Sequence, residues 1–234
     1  MPVLTSHIVY GHMPKTGGSW VSDVLKRTRE GQQVLRAHDG LRDLPVGVSE
    51  GRIYIGTIRD PWSWYCSWYC HAVCHPDYRE RLTIYGAGKA DFKSVLYGVT
   101  HPAAGREVVP IGIFWPTEWG AAGERRSLHD WLSSGTGLYS WVVHRVYGDG
   151  SGRLIPGAFL ELQNLRQGLG SLLGRELSVE HFPPVNLTSR KPVPMDMSPV
   201  YDTEGVSWVR SADRQVAAYF GYRDPFSPSS QRTL

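Results

Sequence analysis

Apolar positions follow two rhythms along this chain, and the two alternate. Ile8 to Tyr10 is an apolar run of the length of a short buried strand. The chain then turns through Gly11 to Gly18. Beyond it, Val21, Val24, Leu25 and Thr28 recur at i, i+3, i+4 and i+7, which is one helical face. Gln33 to Ala37 predicts a second short strand, ending at His38-Asp39-Gly40. Residues 40–51 mix glycine, proline and acidic side chains and read as a loop. Arg52 to Ile58 predicts a third strand, with Ile53, Tyr54, Ile55, Thr57 and Ile58 as β-formers. Asp60 then suits a helix N-cap and Pro61 the first helical position, so a helix should run to about Val73.

Residues 76–157 hold mixed helices and loops dense in aromatic side chains, with no clean boundary. Ala158 to Leu162 predicts a fourth strand, followed by a helix with Leu165, Leu169, Leu172 and Leu173 on one side. Residues 181–203 carry Pro183, Pro184, Pro192, Pro194 and Pro199 and should form an irregular wrapping loop. One last helix should span Glu204 to Phe220 on Val206, Val209, Val216 and Phe220, stopped by Gly221 and Pro225. Strands alternating with helices imply an α/β fold over a single domain, residues 1–234. A central, mainly parallel sheet would carry helices on both sides as a three-layer sandwich. In such sheets ligands bind beyond the carboxyl ends of the strands. Lys15, His38 and Arg59 each lie just past a predicted strand.

Composition narrows the picture modestly. The chain has 234 residues, 41% hydrophobic and 20% charged, which suits a folded domain rather than a disordered segment. Its formal charge of +3 is too mild to imply nucleic acid, and the aromatics form no RNA-binding block. No run reaches the length of a membrane span and no signal-peptide core opens the chain, so a cytoplasmic protein without a membrane partner is expected. Cys66, Cys70 and Cys74 fall on one helical stripe. That spacing favours packing over a disulfide framework, and neither they nor His71 and His75 have the second ligand pair of a zinc site. No metal is expected.

Candidate chemistry gathers in the first turn. A strand, a glycine-bearing loop and a helix in succession aim backbone N–H groups and the positive end of a helix dipole at one place. Gly17 and Gly18 let a ligand approach the backbone, and Lys15 adds a full charge. The place is built for an anion such as a phosphate or sulfate ester. It is not the mononucleotide loop G-x-x-x-x-G-K-[ST], because here lysine precedes the glycines. At the third strand's exit, Arg59 can grip a phosphate bidentately, and Ser67, about two helical turns on, can add a hydroxyl. His38, between the two, has the pKa range of a general base. His12, inside the loop, competes for that role.

Pro14-Lys15-Thr16-Gly17-Gly18-Ser19-Trp20 closely resembles the 5′-phosphosulfate loop of sulfotransferases that use 3′-phosphoadenosine-5′-phosphosulfate (PAPS). Arg59-Asp60-Pro61-Trp62-Ser63-Trp64-Tyr65-Cys66-Ser67 resembles that family's 3′-phosphate motif. Ala37-His38-Asp39 matches where the cytosolic members keep their catalytic histidine. Phe159 to Leu165, with Gln163 where a glutamate is more usual, resembles a segment of bacterial members. Pro184 to Lys191 resembles their nucleotide-covering loop, and Phe220-Gly221-Tyr222 their usual ending. Residues 76–157 have no counterpart.

The resemblance implies a P-loop-like sulfotransferase fold with PAPS as donor and 3′-phosphoadenosine-5′-phosphate (PAP) as product. Lys15, Thr16, Gly17, Gly18 and Ser19 would hold the 5′-phosphosulfate, and Trp20 would flank adenine. Arg59 and Ser67, with Arg190 and Lys191, would hold the 3′-phosphate. His38 and Lys15 would be catalytic. The whole chain has nine tryptophans and twelve tyrosines, and the aromatic-rich residues 76–157 would wall an acceptor with a ring face, a small molecule or a carbohydrate. The rival readings are a nucleotide kinase or NTPase of related fold, and a nucleotide-binding protein without turnover. O- against N-sulfation, the acceptor and the oligomeric state stay open at this level.

Overall fold

The structure, a computed structural model, describes residues 3–29, 32–33, 40–45, 47–48, 50–74, 82–83, 85–101, 135–184 and 200–226. Contacts group these into two compact units. The first takes the described residues of 1–59 and 142–189, and the second those of 60–117, 121–141 and 190–234.

The first unit is α/β. Its strands are β1 (Val3–Leu4), β2 (Ile8–Gly11), β3 (Gln32–Gln33), β4 (Ile53–Ile58) and β5 (Ala158–Glu161), in the order β3-β1-β2-β4-β5. The central pairs are parallel: Tyr10 lies opposite Ile55, Gly11 opposite Gly56, and Ile55 opposite Ala158. β1 is antiparallel to both neighbours. Two residues are too few to show a period, so sequence reading did not anticipate β1. The expected second strand begins one residue early, at Gln32, while residues 34–39 lie outside the described part. Helix α1 (Gly18–Arg29) connects β2 to β3 on one side of β2, whereas β4 and β5 lie on the other. The strand order therefore reverses between β2 and β4, where open α/β sheets hold their ligands.

Alternation along the strands assigns the two faces. Ile8, Tyr10, Ile55 and Leu160 share a core with Val21, Val24 and Leu25 of α1 and with Leu165, Leu169 and Leu173 of the helix Leu165–Leu173. Burying each of those aliphatic side chains contributes about 1.5–3 kcal/mol. On the opposite face, Gly11 and Gly56 sit side by side beneath Tyr147. A Cβ on either would lie 2.9 or 2.8 Å from that ring. The Tyr147 hydroxyl reaches past them into the ladder between β2 and β4. It accepts from the Thr57 N–H (2.9 Å) and lies 2.7 Å from the Thr57 carbonyl and 3.3 Å from that of Gly11.

The second unit is helical among its described residues. Taking the short helix Phe92–Thr100 as α3, it comprises α2 (Pro61–Cys74), α3, the first turn of α4 (Leu138–Tyr147), α6 (Thr203–Ala212) and α7 (Arg214–Tyr219), with Leu165–Leu173 as α5. α4 crosses the division between residues 141 and 142. α2 starts where expected, with the Ser63 N–H bonded to Asp60 Oδ1 at 2.8 Å. Cys66 and Cys70 on it are buried, and Cys74 is exposed. The single closing helix expected over 204–220 is two helices. It breaks at Asp213, whose carboxylate is fully buried and accepts from the Tyr65 hydroxyl and the Ser140 N–H, each at 2.9 Å. Among the described residues, no helix is long and apolar enough to cross a membrane.

Candidate anion-binding site

β2 ends at Gly11, and α1 begins at Gly18. Between them the backbone takes positive φ at Lys15 (66°) and at Gly17 (80°). For lysine that conformation costs about 1–2 kcal/mol. The buried face of α1 is worth several times as much, so the strained turn persists. At Gly17 the turn also demands the absence of a side chain, because a Cβ would stand 2.6 Å from Leu165 Cδ2. A Cβ on Gly18 would stand 2.0 Å from His12 Cδ2 and 2.6 Å from the Tyr10 hydroxyl. The glycines thus bring the start of α1 down onto side chains of β2 and the loop.

The helix start is open. The N–H groups of Trp20 and Val21 return to the Gly17 carbonyl at 3.0 and 3.3 Å. Those of Gly18 and Ser19 precede any intrahelical acceptor, as at every helix start. Among the described residues no side chain accepts from them. Lys15 and Ser19 are half-buried beside them. Arg59, at the carboxyl end of the neighbouring strand, joins the group: its Nη1 donates to the Lys15 carbonyl at 3.4 Å. The guanidinium at the end of β4 thereby reaches the backbone of the loop that carries Lys15, at the reversal of strand order.

Other expected site residues are placed differently. Thr16 is fully buried, and its hydroxyl is committed below the loop, to the Met13 carbonyl (2.7 Å) and to Thr57 Oγ1 (2.6 Å). Only its backbone is left to face a ligand. Trp20 is 7% exposed. Its Nε1 donates to the Phe182 carbonyl at 3.1 Å, and the Arg166 guanidinium stands 5.0 Å over its ring. Burial and that stacking occupy the ring that was expected to flank a base. Ser67 is half-buried on α2 in the second unit. His38, Arg190 and Lys191 lie outside the described residues, as does most of the expected covering loop over 181–203. His12 is 7% exposed, stacked on Tyr10 with ring centroids 6.3 Å apart. This fits a residue that stiffens the loop.

Beneath the loop lies a set of buried hydroxyls that sequence reading missed. Tyr10 OH is 3.0 Å from Thr57 Oγ1, which in turn meets Thr16. Burial pushes the Tyr10 and Tyr147 hydroxyls well above the usual phenol range, so both stay protonated. Thr57 had counted only as a β-former. Its signal was a hydroxyl on the inward face of an otherwise apolar strand, two residues before Arg59.

Protein-family models, curated proteins and solved structures give no match to this chain. Among the described residues no group of three or more His, Cys, Asp or Glu side chains could hold a metal ion.

Proposed function

We propose that this chain is a PAPS-dependent sulfotransferase of the cytoplasmic type, built as a P-loop-like three-layer sandwich. The observation that carries the reading is the open start of α1, with Lys15 and Arg59 beside it at the carboxyl ends of β2 and β4. The loop from Lys15 to Ser19 receives the 5′-phosphosulfate on backbone N–H groups. Arg59 serves the 3′-phosphate, exchanging its long bond to the Lys15 carbonyl for a charged one. The resemblance adds Ser67, Arg190 and Lys191 to that phosphate and makes His38 the base.

In the reaction an acceptor hydroxyl oxygen attacks sulfur as the bond from sulfur to the bridging phosphate oxygen breaks. The acceptor proton passes to His38, and PAP leaves with the bridging oxygen. Lys15 stabilises the charge growing on that oxygen, while the loop fixes the line of attack. The acceptor is a small molecule or carbohydrate with a ring face, met by the aromatic-rich residues 76–157.

Thermal unfolding with PAP, against ADP and magnesium-ATP, tests the reading. Ligand at a hundred times its dissociation constant adds about 2.7 kcal/mol, a shift on the order of 5–10 °C for a chain of this size. A shift with PAP alone, without metal, is expected, and Arg59→Ala should weaken PAP far more than ADP. A shift with magnesium-ATP alone would sink the sulfotransferase reading in favour of a kinase. His38→Ala should abolish turnover while leaving PAP binding nearly intact. An active variant would move the base elsewhere.

A further inference from the structure

The hydroxyls under the loop have a direction that follows from proton counting. A carbonyl oxygen only accepts, so the single proton of Thr16 Oγ1 goes to the Met13 carbonyl. The 2.6 Å contact between Thr16 and Thr57 must then be donated by Thr57. Thr57 has no second proton, so its 3.0 Å contact with Tyr10 is donated by the tyrosine. The chain therefore runs from Tyr10 to Thr57 to Thr16 to the Met13 carbonyl, and all three side chains are buried. Away from water, a hydroxyl turned out of such a chain has no replacement partner.

We propose that Thr57 is a positioning residue for the anion loop, the point through which β4 sets the backbone of residues 15–17. Thr16, the residue it grips, stands between the two positive-φ residues, Lys15 and Gly17. Two residues beyond Thr57, Arg59 donates to the Lys15 carbonyl. The end of β4 thus holds residue 16 by its side chain and residue 15 by its backbone. Apolar packing could press Thr16 inward, but it would not fix the rotation of the turn. A directed hydroxyl does, and with it the aim of the N–H groups that follow. The inference rests on the anion-binding reading of this loop but not on which anion it takes.

Thr57→Val keeps shape and removes the proton; Thr57→Ser keeps the proton and removes the methyl. The measurements are the affinity for PAP and the hydrogen exchange, in the free protein, of the Trp20 and Val21 amides that bond to the Gly17 carbonyl. Thr57→Val should weaken PAP about tenfold or more and speed exchange at 20 and 21 by a similar factor, with α5 amides unchanged, while Thr57→Ser stays within about threefold on both. Equal behaviour of Val and wild type, or a Ser variant as impaired as Val, would overturn the proposal. If the wild type fails to bind PAP, the sulfotransferase reading falls, and the exchange comparison still decides the role of Thr57. Should Thr57→Val not fold, Thr16→Val against Thr16→Ser repeats the comparison one link further, and equal exchange in those two would overturn it as well.

Discussion

Among the described residues, two α-helices start after a glycine, which has no side chain to cap them, and the two starts are finished in opposite ways. At α4 the protein closes the start itself. The Tyr139 N–H donates to the Tyr65 hydroxyl at 3.1 Å and the Ser140 N–H to Asp213 at 2.9 Å. Gly137 leaves the room for this, since a Cβ there would lie 2.6 Å from Asp213 Oδ1. At α1, after Gly17, the residues underneath are neutral hydroxyls and those alongside are cations. A helix start favours negative charge. α4 receives a carboxylate from its own chain, whereas the α1 start is met by an arginine that reaches the loop before it. That difference, more than the presence of a helix dipole, sets the start that the chain closes itself apart from the one for which anion binding is proposed.

Lys15 offers the sharpest way to break the comparison. On the sulfotransferase reading, Lys15→Ala should cut turnover by about a hundredfold to a thousandfold, the range for losing a transition-state donor. Lys15→Gly should lose as much activity without losing stability, because it removes the charge and relieves the positive φ. Unfolding midpoints and initial rates measured side by side would show whether charge and strain separate.

Asp213 gives the next effect. Burial raises its pKa to about 6, above the ordinary 3.8 that the unfolded chain retains. Its hydrogen bonds from Ser140 and Tyr65 oppose that rise without cancelling it. A raised carboxyl favours the fold below the unfolded pKa, and this contribution is lost as pH rises through about 6. The loss is on the order of 3 kcal/mol. Asp213→Asn should flatten the stability profile between pH 4 and 6, as read by urea unfolding; an unchanged slope would refute the assignment.

Two tyrosine hydroxyls rank below this. Tyr65→Phe strips a donor from a buried carboxylate and an acceptor from the Tyr139 N–H, and should cost about 2–3 kcal/mol. Tyr147→Phe leaves only neutral peptide groups at the ends of β2 and β4, and should cost about 1–2 kcal/mol. Reversal of that order in denaturant unfolding would mean that the charged cap is the weaker of the two.

Much of the local architecture was legible in the residues. Ile8 to Tyr10, Ile53 to Ile58 and Ala158 onward are strands, and the Val21, Val24, Leu25 face is buried as its spacing required. Asp60-Pro61 starts a helix. The approach of Arg59 to the loop of Lys15 was legible too, because each follows a strand and parallel strands end on one edge. The use of the other loop residues was not. Thr16 and Trp20 read as ligand contacts from their place in the motif, yet the first turns downward to Thr57 and the second into the core. A motif gives the order of residues, whereas the facing of each side chain depends on what packs beneath it.

The residues by themselves determined where β2, β4, β5, α1 and α2 begin, because those signals act between neighbours within about four positions. Tertiary structure alone decided the reversal of strand order between β2 and β4, the break at Asp213 and the hydroxyl chain under the loop. Thr16 and Thr57 are 41 positions apart, and Tyr65 and Asp213 are 148. Partners so distant are chosen by packing. A buried donor takes whichever acceptor the fold brings within 3 Å of it, and nothing in the spacing of either residue records that choice.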